Sequence, residues 1–240
     1  HYLAEKYHAT LVLVGRTPLS TDIQKKIDAL IQAGAQDVHY NSIDICDQQA
    51  LQTWAKNLPF ELSGIIHAAG VGSIQPFYEK TTNDIKNVLY PKTVGTIMLD
   101  KVLAQHPLDF VCYFSSSSAL LGDSGSCDYA VANRFLMAYA SFRNQRKQHN
   151  GKTYVINWPL WQAGGMTVDD PEKLAFYLKS SGLDTLETAT GIDIWDKLLQ
   201  MDQIQSLIMI GKPSRINEII QRIYEPETQA QKTTGTKALS

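Results

Sequence analysis

Four consecutive serines, Ser115 to Ser118, follow the apolar stretch LDFVCYF, so a polar mouth opens where a buried strand ends. Tyr129 stands thirteen residues after Ser116, and Asn133 follows it at i+4, on the same face of a helix that carries both. A phenol can hand a proton to a developing alkoxide, but its ordinary pKa of about 10 makes it a poor acid near neutrality unless a cation stands beside it. The usual Tyr-x-x-x-Lys arrangement supplies that cation one turn on; here position 133 is Asn. Lys92, in YPKTVG, is the replacement, because Pro91 bends its helix and frees a carbonyl, a setting suited to a functional polar group. Taken alone, Lys92 also reads as a solvated surface lysine, the commonest fate of that residue.

A second set of residues suits a nucleotide. Arg16, followed by Thr17, comes directly after the β-rich run TLVLVG. At the end of the second strand of a doubly wound dinucleotide fold, an acidic residue takes the ribose 2′-hydroxyl of NAD, whereas Arg accommodates the 2′-phosphate of NADP. A surface Arg after a strand is the plainer alternative. Asp44-Ile45 ends the next strand; the carboxylate suits an adenine amino group with Ile45 packed nearby, or it caps the helix that begins near Asp47. His67-Ala68-Ala69-Gly70 closes the third strand, and its small residues let a flat ring approach the backbone, or simply pack strand against helix.

The elements that must position these groups alternate. Apolar runs at 10–15, 38–44, 64–70, 108–116, 153–158 and 205–211 read as strands. Helical periodicity falls at 22–34, 47–58, 83–105 (one long stretch tolerating Pro91), 127–148, near 171–181 and 187–200. Strict alternation with near-continuous apolar strands gives an α/β fold, a doubly wound parallel sheet covered on both faces, whose ligands bind outside the carboxyl ends of the strands. The opening residues, HYLAEKYHATLVLVGR, read as the back half of a helix running into a strand, and the stretch after Tyr224 reads as a polar linker. With 240 residues, a net charge of −2, 44% hydrophobic and 19% charged residues, the composition is that of a globular protein. Neither nucleic acid nor a membrane suits such a charge balance as the main partner. The three cysteines, Cys46, Cys112 and Cys127, lack metal-ligand spacing and read as free thiols of a cytoplasmic protein.

The motifs LVLVGRT, IIHAAGV, YPKTVGT, FSSSSALLG, DYAVANRFLMAYA and INWPLWQAGGM, in this order, resemble the ketoreductase domain of modular polyketide synthases, within the short-chain dehydrogenase/reductase superfamily. WPLWQAGGM is most similar to the ketoreductases of trans-acyltransferase assembly lines. The resemblance runs from residue 1 to about 222. That family exchanges the catalytic Lys and Asn positions of simpler reductases, as Lys92 and Asn133 do. The resemblance implies NADPH-dependent reduction of a β-ketoacyl thioester carried on an acyl carrier protein, among neighbouring synthase domains. Ser116, second after the strand-ending aromatic, and Tyr129 would bind the ketone, with Tyr129 as proton donor. Lys92 would touch the cofactor ribose and make Tyr129 a better acid, and Asn133 would support a proton relay through water. Arg16 and Thr17 would hold the 2′-phosphate, Asp44 and Ile45 the adenine, and Ala68, Ala69 and Gly70 would line the nicotinamide ribose. Pro159, Leu160 and Met166 would lie by the carboxamide and the mouth, and 166–182 would form a lid.

The chain also departs from the family pattern. The family's Leu-Asp-Asp after the third strand end is replaced by Gly72-Ser73-Ile74, and its alternative Trp by Leu121; the missing Asp pair favours the A-type alcohol. The family's first strand, its glycine-rich phosphate loop and its N-terminal structural subdomain belong ahead of residue 1. On that expectation the catalytic part, residues 1–223, is N-terminally incomplete, with 224–240 as linker. Two other readings are a free-standing short-chain dehydrogenase and a non-catalytic structural fragment of an assembly line. Retention of Ser116, Tyr129, Lys92 and Asn133 together weighs against the latter.

Overall fold

The computed structural model describes residues 1–72, 75–122, 125–146, 151–164, 166 and 170–224. In chain order these form α1 (Tyr2–Tyr7), β1 (Thr10–Gly15), α2 (Thr21–Gln32), β2 (Asp37–Ser42), α3 (Gln48–Lys56), β3 (Gly64–His67), a 3₁₀ turn (Phe77–Glu79), α4 (Thr82–Lys92), α5 (Val94–Val102) and β4 (Phe110–Ser116). There follow α6 (Ser118–Leu121), α7 (Cys127–Gln145), β5 (Lys152–Trp158), α8 (Pro171–Ser181), α9 (Thr188–Leu199), β6 (Gln205–Leu207) and α10 (Pro213–Tyr224). Helix starts are set by short polar side chains that accept the orphan amide protons of the first turn. Ser20 accepts from Ile23, Asp47 from Gln49 and Ala50, and Thr81 forms a reciprocal capping box with Asp84. The one helix expected over 83–105 is two, broken at Thr93 (φ −105°, ψ −75°). The strands expected over 64–70 and 205–211 end early, at His67 and Leu207. Helix α10 was not anticipated.

All ladders are parallel, and they fall into two sheets, β1-β2 and β3-β4-β5-β6. Among the described residues no ladder joins β1 to β3. β1 has no buried residue, and Ile66 on β3 is 39% exposed. At the centre, β4 and β5 pair in register from Phe110 with Lys152 to Ser116 with Trp158. Their alternate side chains serve two cores, as burial on both faces requires. Val111, Tyr113 and Val155 pack on Leu136 and Ala140 of α7. Cys112, Tyr154, Ile156 and Trp158 form the other cluster with Trp195 of α9, and Tyr2 and Leu3 of α1 close over it. No helix among the described residues is long and apolar enough to cross a membrane.

Candidate active site

The carboxyl ends of β3 and β4 meet the end of α4. Lys92, the last residue of α4, is 3% exposed and donates from Nζ to the Phe114 carbonyl at 2.8 Å. It lies along Gly70: a Cβ on that glycine would stand 2.8 Å from Lys92 Cε, so a side chain there would displace the lysine stem. Burial pulls the Lys92 ammonium down to about 8. The surface-lysine alternative is thereby excluded. Its placement depends on the break after α4. Among the described residues no backbone amide takes the Pro91 carbonyl; His67 Nε2, 3.2 Å away, does, and because that oxygen only accepts, the imidazole carries its proton on Nε2. Thr96 Oγ1 donates to the Lys92 carbonyl at 2.7 Å. Burial first, then the Lys92 charge, hold His67 down at about 3, against the opposing pull of the Pro91 carbonyl, so the ring is neutral.

Helix α7 supplies the next groups. Asn133 is fully buried; its Nδ2 donates to the Tyr129 carbonyl at 2.8 Å, and its Oδ1 has no partner among the described residues. Ser115 Oγ donates to the Asn133 carbonyl at 3.2 Å, which ties the end of β4 to the helix. Ser116 is half-buried, and its Oγ accepts from the Ser118 amide at 3.2 Å. The Tyr129 hydroxyl lies 4.0 Å from Met166 Sδ, and a Cβ on Gly72 would meet Met166 Cε at 3.3 Å. Met166, 45% exposed, thus spans from the segment after β3 to the tyrosine.

The nucleotide side is more open. Arg16 and Thr17 are exposed just beyond β1, and their carbonyls accept from Ser42 Oγ at 3.3 Å and from the Tyr40 hydroxyl at 2.5 Å. Asp44 is exposed beyond β2; burial pushes the Cys46 thiol up to about 11, with Asp44 adding to the rise and Arg16 opposing it. Asp44 does not cap α3. Its Oδ1 accepts from the Cys46 amide at 2.9 Å, and Asp47 is the cap. Ile45 is buried against Gly95 of α5, where an added Cβ would come within 2.6 Å of Ile45 Cδ1; its side chain is committed to packing and does not lie open to a ring. Ala68 and Ala69 are exposed beyond the end of β3. Pro159 is buried just past β5, and the Leu160 carbonyl accepts from the Leu186 amide at 2.8 Å.

A family model for the KR domain matches residues 1–163. Polyketide synthase PksM of Bacillus subtilis (strain 168) is 43% identical over 236 residues, which is 95% of this chain and 6% of that protein. The chain belongs to the KR (ketoreductase) domain family. ThaG, a polyketide synthase of Burkholderia thailandensis, is 35% identical over 221 residues, covering 89% of the chain and 4% of that protein. A ketoreductase domain from the bacillaene assembly line superposes with a TM-score of 0.86 at 34% identity, over 90% of this chain and 53% of that one. An N-terminal ketoreductase from the macrolactin assembly line gives 0.82 at 34% identity, over 91% and 43%. The chain therefore spans a small fraction of the curated relatives and about half of the solved ketoreductase chains, and it shares their Rossmann-type fold.

For this KR domain, sequence reasoning missed the groups that hold the site rather than those that face it. His67 was noted only as part of a small-residue strand end, although a polar residue closing an apolar strand asks for a partner. Lys80 and Asp128, a buried ion pair beside Tyr129, carried no local signal. Of the expected lid, Met166 and the helix α8 are described, whereas 167–169 lie outside the described residues, as do Ser73 and Ile74 of the missing Leu-Asp-Asp position. Leu121 ends α6 and is half-buried.

Proposed function

We propose that this KR domain reduces a β-ketoacyl thioester, presented by an acyl carrier protein, to the β-hydroxyacyl form with NADPH, within a larger cytoplasmic polyketide synthase. Residues 1–223 serve as the catalytic part and 224–240 as a linker to a neighbouring synthase domain. The observation that carries this reading is the burial of Lys92 at the carboxyl edge of the sheet, where a desolvated ammonium has, among the described residues, the Phe114 carbonyl as acceptor and two further protons to donate.

The residues fit the cofactor. Lys92 packs along Gly70 with its ammonium at the carboxyl edge of the sheet, and Arg16 is an exposed guanidinium just beyond β1, suited to a phosphate on the ribose. Bound NADPH supplies the hydride to the ketone carbon. Ser116 Oγ and the Tyr129 hydroxyl hydrogen-bond the ketone oxygen, and Tyr129 gives it the proton. Lys92 Nζ holds the cofactor ribose and favours proton release from Tyr129. Asn133 Oδ1, buried and without a partner among the described residues, calls for a donor; a water placed there replaces the proton that Tyr129 gives up. Thr17 supports the ribose phosphate beside Arg16, and Asp44 with the Ile45 backbone meets the adenine. Ala68 and Ala69 with Pro159 and Leu160 flank the nicotinamide end, and Met166 screens the mouth.

The test is oxidation of NADPH dependent on a β-ketoacyl N-acetylcysteamine thioester, measured in the native polypeptide with NADH in parallel. Tyr129→Phe is expected to reduce turnover by about 10²-fold or more while leaving NADPH binding intact. Full turnover by Tyr129→Phe would remove Tyr129 as donor, and equal use of NADH would remove the role of Arg16.

A further inference from the structure

Lys80 Nζ and Asp128 Oδ1 lie 2.6 Å apart, with their side chains 0% and 2% exposed. Asp128 is the second residue of α7 and directly precedes Tyr129, whose amide donates to the same Oδ1 at 3.0 Å. Lys80 closes the 3₁₀ turn after β3 and directly precedes Thr81, the cap of α4, whose far end is Lys92. The segment is tied a second time, by the Gln75 amide donating to the Gly125 carbonyl at 3.0 Å. A carboxylate in the first turn of a helix is already favourable there, so capping alone does not require a buried lysine. Nor does stability alone, since a buried ion pair exchanged for neutral groups of similar shape is often no loss. What the pair does that neutral groups would not is bolt the start of α4 to the start of α7 in one register.

We infer that Lys80 and Asp128 are a positioning pair that fixes the α7 start, and with it the Tyr129 hydroxyl, relative to Lys92 at the end of α4. This rests on Tyr129 being the proton donor. Loss of the pair displaces the donor without touching the cofactor, so its signature is a change in kcat and not in KM.

The experiment uses the native polypeptide with NADPH and a β-ketoacyl N-acetylcysteamine thioester. Lys80→Met is expected to lower kcat about tenfold or more, with KM for NADPH unchanged within about twofold. The double variant Lys80→Met/Asp128→Asn carries no unpaired buried charge and keeps an oxygen for the Tyr129 amide. It is expected to regain the wild-type thermal midpoint while kcat stays low. Recovery of midpoint and kcat together makes the pair structural only and overturns the inference. Lys80→Arg keeps the charge and is expected to restore part of kcat relative to Lys80→Met; equal loss in both overturns it too. Tyr129→Phe, run alongside, separates the two levels. If it is inactive while the double variant turns over at the wild-type rate, the pair inference alone falls; if it turns over fully, both fall.

Discussion

Lys92 carries a charge in a place that disfavours charge. Among the described residues its acceptor is the Phe114 carbonyl, the imidazole of His67, which feels its charge, is neutral, and burial brings its pKa down to about 8. Around neutral pH the ammonium persists, and just above it the proton leaves. Activity that needs the ammonium is therefore flat up to about pH 8 and falls beyond it. Stability moves the other way. The unfolded lysine titrates near 10.5, so between pH 8 and 10.5 the unfolded chain binds a proton that the folded chain does not, and folding becomes more favourable as pH rises. A pH–rate profile of kcat/KM should show the loss above about 8 while denaturant midpoints hold or increase over the same range. Lys92→Met should lower kcat by about 10²–10³-fold and remove that rise in stability. Parallel loss of rate and stability above pH 8 would instead point to unfolding, and the assignment of the basic limb to Lys92 would fail.

The break between α4 and α5 shows how an element is shaped from outside itself. Pro91 has no amide proton, and the turn at Thr93 releases the Pro91 and Lys92 carbonyls, which His67 and Thr96 take up. His67→Phe keeps a planar ring but leaves the Pro91 carbonyl without its donor, at a cost of about 1–3 kcal/mol measured by denaturant unfolding. It should also flatten the acid side of the stability profile. The wild-type imidazole titrates near 3 folded against 6.5 unfolded, so stability is lost as pH falls through that interval, and a phenyl ring has no proton to bind. An unchanged acid profile in the variant would exclude His67 as the source. The sequence revealed the bend at Pro91 but not the break, because the residues from 94 on are helical in pattern and the acceptor's partner lies 24 positions away. Lys80 and Asp128, 48 positions apart, were hidden for the same reason. Ser116, Tyr129, Asn133 and Lys92 were legible as candidates because their types and spacing suit the chemistry proposed for them. Asp44 misled in the opposite direction: a short carboxylate before a helix is a good cap by type, yet Asp47, three residues on, already fills that place. Ile216, Ile219, Ile220 and Ile223 do mark α10 at helical spacing, so its omission was a failure of reading and not of signal.

At the scale of the molecule, α7 is held at both ends by buried ionic groups of opposite sense, an acid near its N-terminus and a base near its C-terminus, each placed favourably in the helix field. The C-terminal tie is Arg143, whose Nε donates to Asp100 Oδ1 on α5 at 2.7 Å. Its Nη1 donates to Thr153 Oγ1 on β5 at 2.8 Å and to the Gly151 carbonyl at 3.0 Å. The Tyr139 hydroxyl donates to Asp100 Oδ2 at 2.8 Å, and Asn144 exchanges two hydrogen bonds of 2.8 Å with the Thr153 backbone. This cluster joins α5, α7 and β5, but it lies about 21 Å along the helix from Tyr129, at 1.5 Å per residue. Arg143→Met strands the Asp100 carboxylate in the core, and removal of one partner from such a pair costs about 3–5 kcal/mol, on the order of 10 °C in thermal midpoint. Below its new midpoint the variant should turn over at close to the wild-type kcat, because the hydrogen bonds of Arg143 run to Asp100, Gly151 and Thr153 and not to the groups proposed to bind or protonate substrate. The two ends of one helix are thus expected to separate cleanly: loss of Arg143 lowers the midpoint and spares kcat, whereas neutralising Lys80 and Asp128 together spares the midpoint and lowers kcat. Measuring both quantities on both variants at one temperature checks the division. A fall in kcat for Arg143→Met matching that of the Lys80/Asp128 double variant would mean that α7 moves as one rigid body, and that the site is set by the whole helix and not by its first turn.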